Sequence, residues 1–260
     1  MSDPVIEEQK GAVLTLTLNR PEVLNSLNRD LGGRLLAAIE QAGWSDSVRV
    51  IVLRGAGRAF CAGDDLKASR PDGQARHVKP VEQARTGPYY NIVRAIRRAP
   101  KPVITRVHGY AFGAGCDLVL ASDIAVAADT AQLGLVFIKR AIVGGTNLIG
   151  RHVGMKEATR LLFTGDALSG SEALRHGLVT EVVPERELDA HVDAWAARMA
   201  EQPTEVLGYI KSGINRSLWP DLDAGLEYQA FMQVFATHTL DRDEGKRAFL
   251  EKRPAVYSGR

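Results

Sequence analysis

The period of apolar positions changes several times along the chain, and each change marks an element. Val13, Leu14, Leu16 and Leu18 are interleaved with threonines and preceded by Lys10-Gly11, so Val5 to Asn19 reads as a β-hairpin. Asn28 offers a side-chain cap, and Leu31, Leu35 and Ile39 then recur at helical spacing. Val48 to Leu53 is mostly β-branched, which predicts a buried strand ended by Gly55 and Gly57. Lys67 to Gly87, rich in Arg, Lys, Gly and Pro, reads as a loop. A helix is expected over Tyr89 to Arg98, stopped by Pro100 and Pro102, with a strand at Val103 to Val107. Gly109, Gly113 and Gly115 punctuate a turn before a short buried helix, Cys116 to Ala121, and Ile124 to Ala127 gives another strand. Strands alternating with helices up to about Val183 predict an α/β core with parallel pairing.

Beyond Glu185 the pattern becomes almost wholly helical, with breaks near Pro203 and Pro220. Ala230, Phe231, Val234, Phe235 and Leu240 form a broad apolar stripe, which either packs on a partner or folds back on the chain's own core. The chain divides into a core over residues 1–195 and a helical, oligomerising region over residues 196–260.

Composition narrows the function classes. With 260 residues, 45% apolar and 25% charged, the chain is an ordinary globular protein and neither collagenous, disordered nor disulfide-stapled. The 33 Lys+Arg nearly balance the 31 Asp+Glu, so no nucleic-acid partner is expected. Cys61 and Cys116 cannot build a disulfide framework, which points to a reducing, cytoplasmic setting. The first residues are acidic and lack the order of a signal peptide. No apolar run approaches the ~18 residues needed to span a bilayer, so no membrane partner is expected.

Several motifs are decoys. Gly55-Ala56-Gly57-Arg58-Ala59-Phe60 follows a strand but lacks the third glycine of a dinucleotide fingerprint. The chain has no phosphate-binding Gly-x-x-x-x-Gly-Lys-Ser/Thr loop and no Gly-x-Ser-x-Gly elbow. The six histidines show no ligand spacing, so no metal is expected, and both cysteines read as small buried hydrophobes.

Two segments carry candidate chemistry: Ala59-Phe60-Cys61-Ala62-Gly63-Asp64-Asp65-Leu66-Lys67, and His108-Gly109-Tyr110-Ala111-Phe112-Gly113-Ala114-Gly115-Cys116-Asp117. Each reads as a small-residue loop leaving a strand and entering a helix, which leaves backbone N–H groups free where the helix dipole favours negative charge. Placed side by side, two such loops would aim two donors at one oxygen, forming an oxyanion hole.

These segments, together with Asn19-Arg20-Pro21-Glu22-Val23-Leu24-Asn25-Ser26-Leu27, resemble the three signatures of the crotonase (enoyl-CoA hydratase/isomerase) superfamily. Arg247 to Pro254 resembles the C-terminal helix of that family. The resemblance implies an α/β spiral of ββα units with a helical C-terminal trimerisation region. It also implies a homotrimer or a hexamer (a dimer of trimers), and an acyl-CoA substrate with no permanently bound cofactor. It carries the oxyanion donors onto the N–H groups of Asp64 and Ala114, although the family commonly has Ala or Gly at the first position. A helix N-cap is the structural alternative for Asp64, with Asp65 competing for it.

Asp117 matches the first of the two catalytic carboxylates of hydratases in this family, and as the i+3 neighbour of Ala114 it shares that helical face. The alternative is a satisfied polar residue near a buried turn. Family members typically have Gly-x-Pro-Glu-hydrophobic-x-x-Gly next, whereas here Gly134-Leu135-Val136-Phe137 puts Phe137 in place of the second glutamate. The stretch from there to Gly144-Gly145-Thr146 also looks about three residues short by the same comparison. For the ligand, the resemblance points to Val23 and Leu24 at the pantetheine, and counts Ala62, Gly113 and Phe137 among the substrate- and CoA-binding residues. Asp64, Asp65, Leu66 and Lys67 would lie near the adenine, and Phe249 and Lys252 would reach a neighbouring subunit's CoA. Lys67 and Lys252 read equally as solvated surface lysines. Three readings follow: a lyase or isomerase working through an enolate, a thioester or C–C hydrolase of the same superfamily, and a non-catalytic acyl-CoA-binding trimer.

Overall fold

A hairpin opens the chain, as the alternation predicts: β1 (Val5–Lys10) pairs antiparallel with β2 (Val13–Leu18) in a computed structural model that describes residues 3–65, 88–140, 144–217, 239–251 and 253–258. Strand β1 is exposed along most of its length, whereas Leu14, Leu16 and Leu18 of β2 are buried, so β1 is the edge. Helix α1 (Arg29–Trp44) begins at the expected cap, with Asn28 Oδ1 accepting from Leu31 N at 2.9 Å. Such a cap stabilises a helix by ~1 kcal/mol. The predicted face, Leu31, Leu35 and Ile39, is buried.

The next strand, β3, runs Val50–Gly55, two residues later than the β-branched run suggests. Val48 is buried, but its N–H closes the turn after α1 onto Ser45 O at 3.3 Å. Strands β4 (Val103–Val107), β6 (Ile124–Ala128) and β9 (Glu181–Val183) complete a six-stranded sheet in the order β1-β2-β3-β4-β6-β9. Every pairing after the hairpin is parallel. The short strands β5 (Tyr110–Phe112), β7 (Gln132–Gly134) and β8 (Leu168–Ser169) form a second sheet, β5-β7-β8. Two or three residues are too few to show a period, which is why the pattern predicts none of the three.

Helix α2 (Pro88–Arg98) packs against α1 and α3 (Ala114–Ala121). All of α3 is buried, and it starts two residues earlier than the apolar run alone indicates. Helices α4 (Thr146–Ile149), α5 (Met155–Thr164) and α6 (Gly170–Arg175) follow, and α7 (Leu188–Ala200) lies across β2, β3, β4 and β6. Helix α8 (Thr204–Ser217) is tied to the core by an ion pair between the buried Lys211 and the exposed Asp123, Nζ to Oδ2 at 2.6 Å. Its Ile210 and Ile214 are exposed, as is Leu240 at the start of α9 (Leu240–Glu251). The loop expected over Lys67–Gly87 and the stripe from Ala230 to Phe235 lie outside the described residues. Among the described residues no helix is long and apolar enough to cross a membrane.

Candidate active site

The site is assembled by three chain segments that lock onto one another. In the first, Leu24 and Asn25 both take left-handed backbone conformations, at φ 54° and 56°. Such conformations are uncommon without glycine, and they need compensation. Asn25 supplies it: fully buried, its Nδ2 donates to Ala59 O at 2.8 Å and Ala56 O at 2.9 Å, while Oδ1 accepts from Arg20 N at 2.9 Å. The half-buried Val23 and Leu24 are thereby held beside the second segment, where Ala62 N donates to Leu24 O at 3.0 Å.

That second segment runs between two neighbours. On one side Leu27 N donates to Gly63 O at 2.7 Å and Asp65 N to Leu27 O at 2.9 Å. On the other, Cys61 N donates to Tyr110 O and Phe112 N to Cys61 O, both at 3.0 Å. With Gly63 O and Asp65 N both engaged by Leu27, Asp64 forms an isolated parallel bridge to Leu27. Among the described residues Asp64 N makes no backbone hydrogen bond. Ala114 opens α3, where an N–H has no intrahelical acceptor.

Two glycines allow these segments to touch. Gly63 sits at φ 100°, and a Cβ there would stand 2.9 Å from Phe112 O and 3.6 Å from Ala114 N. A Cβ on Gly115 would meet Cys61 O at 2.2 Å, so α3 can approach the loop only without a side chain there. The two small-residue turns therefore abut, bringing Gly63, Gly113 and Ala114 together. Arg20 pins the far end of the loop through an ion pair with Asp65 at 2.9 Å.

Asp117 lies one turn into α3 and is 1% exposed. Its Oδ2 accepts a hydrogen bond from the Tyr89 hydroxyl, and its Oδ1 has no hydrogen-bond partner among the described residues. Burial raises its pKa to about 7; the Tyr89 hydrogen bond and the Gly145 amide oppose the rise, and Asp64 adds to it by like-charge repulsion. Asp64 is itself exposed, but partial desolvation moves its carboxyl upward too. Tyr89, desolvated and facing Asp117, is pushed well above the ordinary phenol value. No local pattern marks Tyr89, because its partner is 28 residues away. Since the Tyr89 hydroxyl favours the charged carboxylate, Tyr89→Phe should move the Asp117 midpoint above about 7, read as an alkaline shift of any pH–rate profile that depends on this base.

Phe137 occupies a short 3-10 turn, Val136–Arg140, and is buried. A Cβ on Gly113 would lie 3.7 Å from its Cε1, and one on Gly144 would lie 2.7 Å away. Its ring thus fills the space between the α3 turn and the approach to α4. Burial pushes Cys61 up to about 12 and Cys116 up as well, so both thiols stay protonated and inert. His108 is committed to Arg106 and to Gly57 O, each at 2.8 Å. Leu66, Lys67 and Lys252 lie outside the described residues, as does the side chain of Phe249.

From Asp117 a cavity of about 540 Å³ opens between α2 and α4, lined in part by Tyr89, Val93, Gly145 and Leu148. Ligand pockets commonly fall in the range ~300–1,000 Å³.

A model of the family described as enoyl-CoA hydratase/isomerase matches residues 8–260. The chain is 37% identical over 267 residues to the 1,2-epoxyphenylacetyl-CoA isomerase of Escherichia coli K12, covering 100% of both. It is 34% identical over 263 residues to the 2,3-dehydroadipyl-CoA hydratase of the same organism, again covering 100% of both. The crystal structure of an enoyl-CoA hydratase from Mycobacterium smegmatis superposes with a TM-score of 0.91 at 31% identity, covering 98% of this chain and 99% of that one. The fold is that of the crotonase superfamily, and the chain belongs to its enoyl-CoA hydratase/isomerase family.

Proposed function

We propose that the protein moves protons on an acyl-CoA thioester through an enolate, with Asp117 as its single acid–base group. One observation carries this reading: a buried carboxyl with a pKa of about 7 stands one turn from Ala114 N–H, while Phe137 fills the neighbouring position. In the proposed reaction the Asp117 carboxylate takes a proton from the carbon beside the thioester carbonyl or from its vinylogue. Negative charge builds on the thioester oxygen and is held by the N–H groups of Asp64 and Ala114. The protonated carboxyl then returns the proton at another carbon, which shifts the double bond. One group suffices for that sequence, whereas hydration needs a water deprotonated on one side and a proton delivered on the other. Tyr89 acts as a positioning residue, holding one carboxylate oxygen so that Oδ1 faces the substrate.

CoA is then part of the substrate, its pantetheine beside Val23 and Leu24 and its adenine near Asp65, Leu66 and Lys67. A trimer would bring Phe249 and Lys252 to a neighbour's CoA, and the exposed Ile210, Ile214 and Leu240 are apolar surface suited to such an assembly. Light scattering should give a trimer or a hexamer at micromolar concentration, and a monomer would end that part of the reading.

The reaction itself is tested by one panel of thioesters assayed for hydration, double-bond migration and CoA release. Migration should exceed hydration, and crotonyl-CoA hydration should fall short of a two-glutamate hydratase by ~10²–10⁴-fold, the usual worth of one acid–base group. Hydration at full two-glutamate rates would refute the single-carboxyl mechanism. CoA release as the main reaction would make the protein a hydrolase, and binding without any turnover would make it an acyl-CoA carrier.

A further inference from the structure

The cavity beyond Asp117 is unusually cationic for an acyl pocket. Arg94, Arg97, Arg98 and Arg151 all line it, and Asp117 is the one acid among its described lining residues. On α2, Tyr89, Val93 and Arg97 recur every fourth residue and so share a face. The Tyr89 hydroxyl meets Asp117 at one end of that face, and Arg97 follows two turns on, about 12 Å along the axis.

The arginines are poorly committed elsewhere. Among the described residues the side chains of Arg97 and Arg98 make no hydrogen bond, and Arg151 spends only Nε, on Asn147 O at 3.1 Å. Arg94 reaches Asn91 Oδ1 at 3.1 Å. Asp123 attracts Arg97, but Asp123 already accepts from Lys211 Nζ at 2.6 Å and Val103 N at 2.8 Å. Arg97 is half-buried and repelled by Arg151. Arg94, Arg98 and Arg151 are exposed beside it, so like charges gather around the half-buried Arg97 and repel one another unless an anion joins them.

We infer that this cavity receives an acyl chain ending in a carboxylate, which Arg97 and Arg151 grip while Arg94 and Arg98 draw it in. The inference rests on the acyl-CoA reading above and names the acyl group. Val23, Leu24, Ala62 and Asp64, assigned to CoA above, do not line the cavity. A guanidinium offers the paired donors that a carboxylate accepts in bidentate fashion, so one of them matches its charge and shape and a second adds further donors.

The test is calorimetric binding of two saturated thioesters, hexanoyl-CoA and hexanedioyl-CoA, which differ only in the terminal carboxylate, with octanedioyl-CoA as a longer arm. Wild-type protein should bind at least one dioyl thioester about tenfold or more tighter than hexanoyl-CoA, and rising salt should shrink that ratio. In Arg97→Met and in Arg151→Met, each confirmed folded by circular dichroism, the ratio should approach one, with Arg97→Lys intermediate. Equal binding of hexanoyl-CoA and both dioyl thioesters by the wild type would overturn the inference and leave the acyl-CoA reading standing. So would a ratio unchanged in both Met variants while every thioester weakens in parallel, which would assign these arginines to CoA phosphates. If no thioester binds, the acyl-CoA reading itself falls.

Discussion

Asp117→Asn should slow exchange of the α-protons of a bound saturated acyl-CoA with deuterated water by ~10²-fold or more. The substitution keeps the shape of the side chain and an oxygen able to accept from Tyr89, but it removes the base. Thioester binding should change little, because the backbone donors at Asp64 and Ala114 remain. The pH profile sharpens the test. With a pKa raised to about 7, the wild-type carboxyl is mostly protonated at pH 6 and mostly a base at pH 8, so exchange should rise with pH and level off above about 8. Undiminished exchange in Asp117→Asn would move the role to Asp64, and an absence of exchange in the wild type would favour a carrier.

The same group should leave a mark on stability. Its folded pKa lies above the ordinary 3.8, so between about 4 and 7 the unfolded chain ionises while the folded one keeps its proton. Asp117 therefore destabilises the fold progressively as pH rises through that window, and fully above it. Asp117→Asn, which never ionises, should melt above the wild type at pH 8 by an amount worth up to a few kcal/mol, with little difference at pH 3. A buried carboxyl kept at the expense of stability is the signature expected of a functional site rather than of a satisfied polar residue.

Ala114→Pro should lower kcat by ~10²–10³-fold while the fold persists. Ala114 is the first residue of α3, a position at which proline is tolerated because the N–H has no helical acceptor. The substitution deletes that N–H and sets the proline ring where the oxyanion would lie. Retained activity in a folded Ala114→Pro variant would remove Ala114 from the oxyanion site, and circular dichroism with thermal melting identifies the folded variant.

The hairpin, the Asn28 cap and the apolar face of α1 are legible in the chain because each depends on residues at most a few positions apart. The same holds for the two small-residue turns around Gly63 and Gly113, and for the i, i+3 relation of Ala114 and Asp117. Resemblance added the order and spacing of the signatures, including Phe137 where an acid usually stands. Tertiary structure decided the rest. Tyr89 reaches Asp117 across 28 residues, and Asn25 fastens its segment to Ala59 across 34. Gly63 meets Phe112 and Ala114 only because Cys61 pairs with Ala111, a bridge too short to leave a period in the sequence. The pKa of Asp117 was equally invisible, since it follows from the burial of one carboxyl beneath α2 and the turn before α4. Periodicity and capping report on forces acting within a turn of helix or a few residues of strand. Desolvation and contacts between distant segments arise only when the chain has closed on itself, and in this protein they make the site.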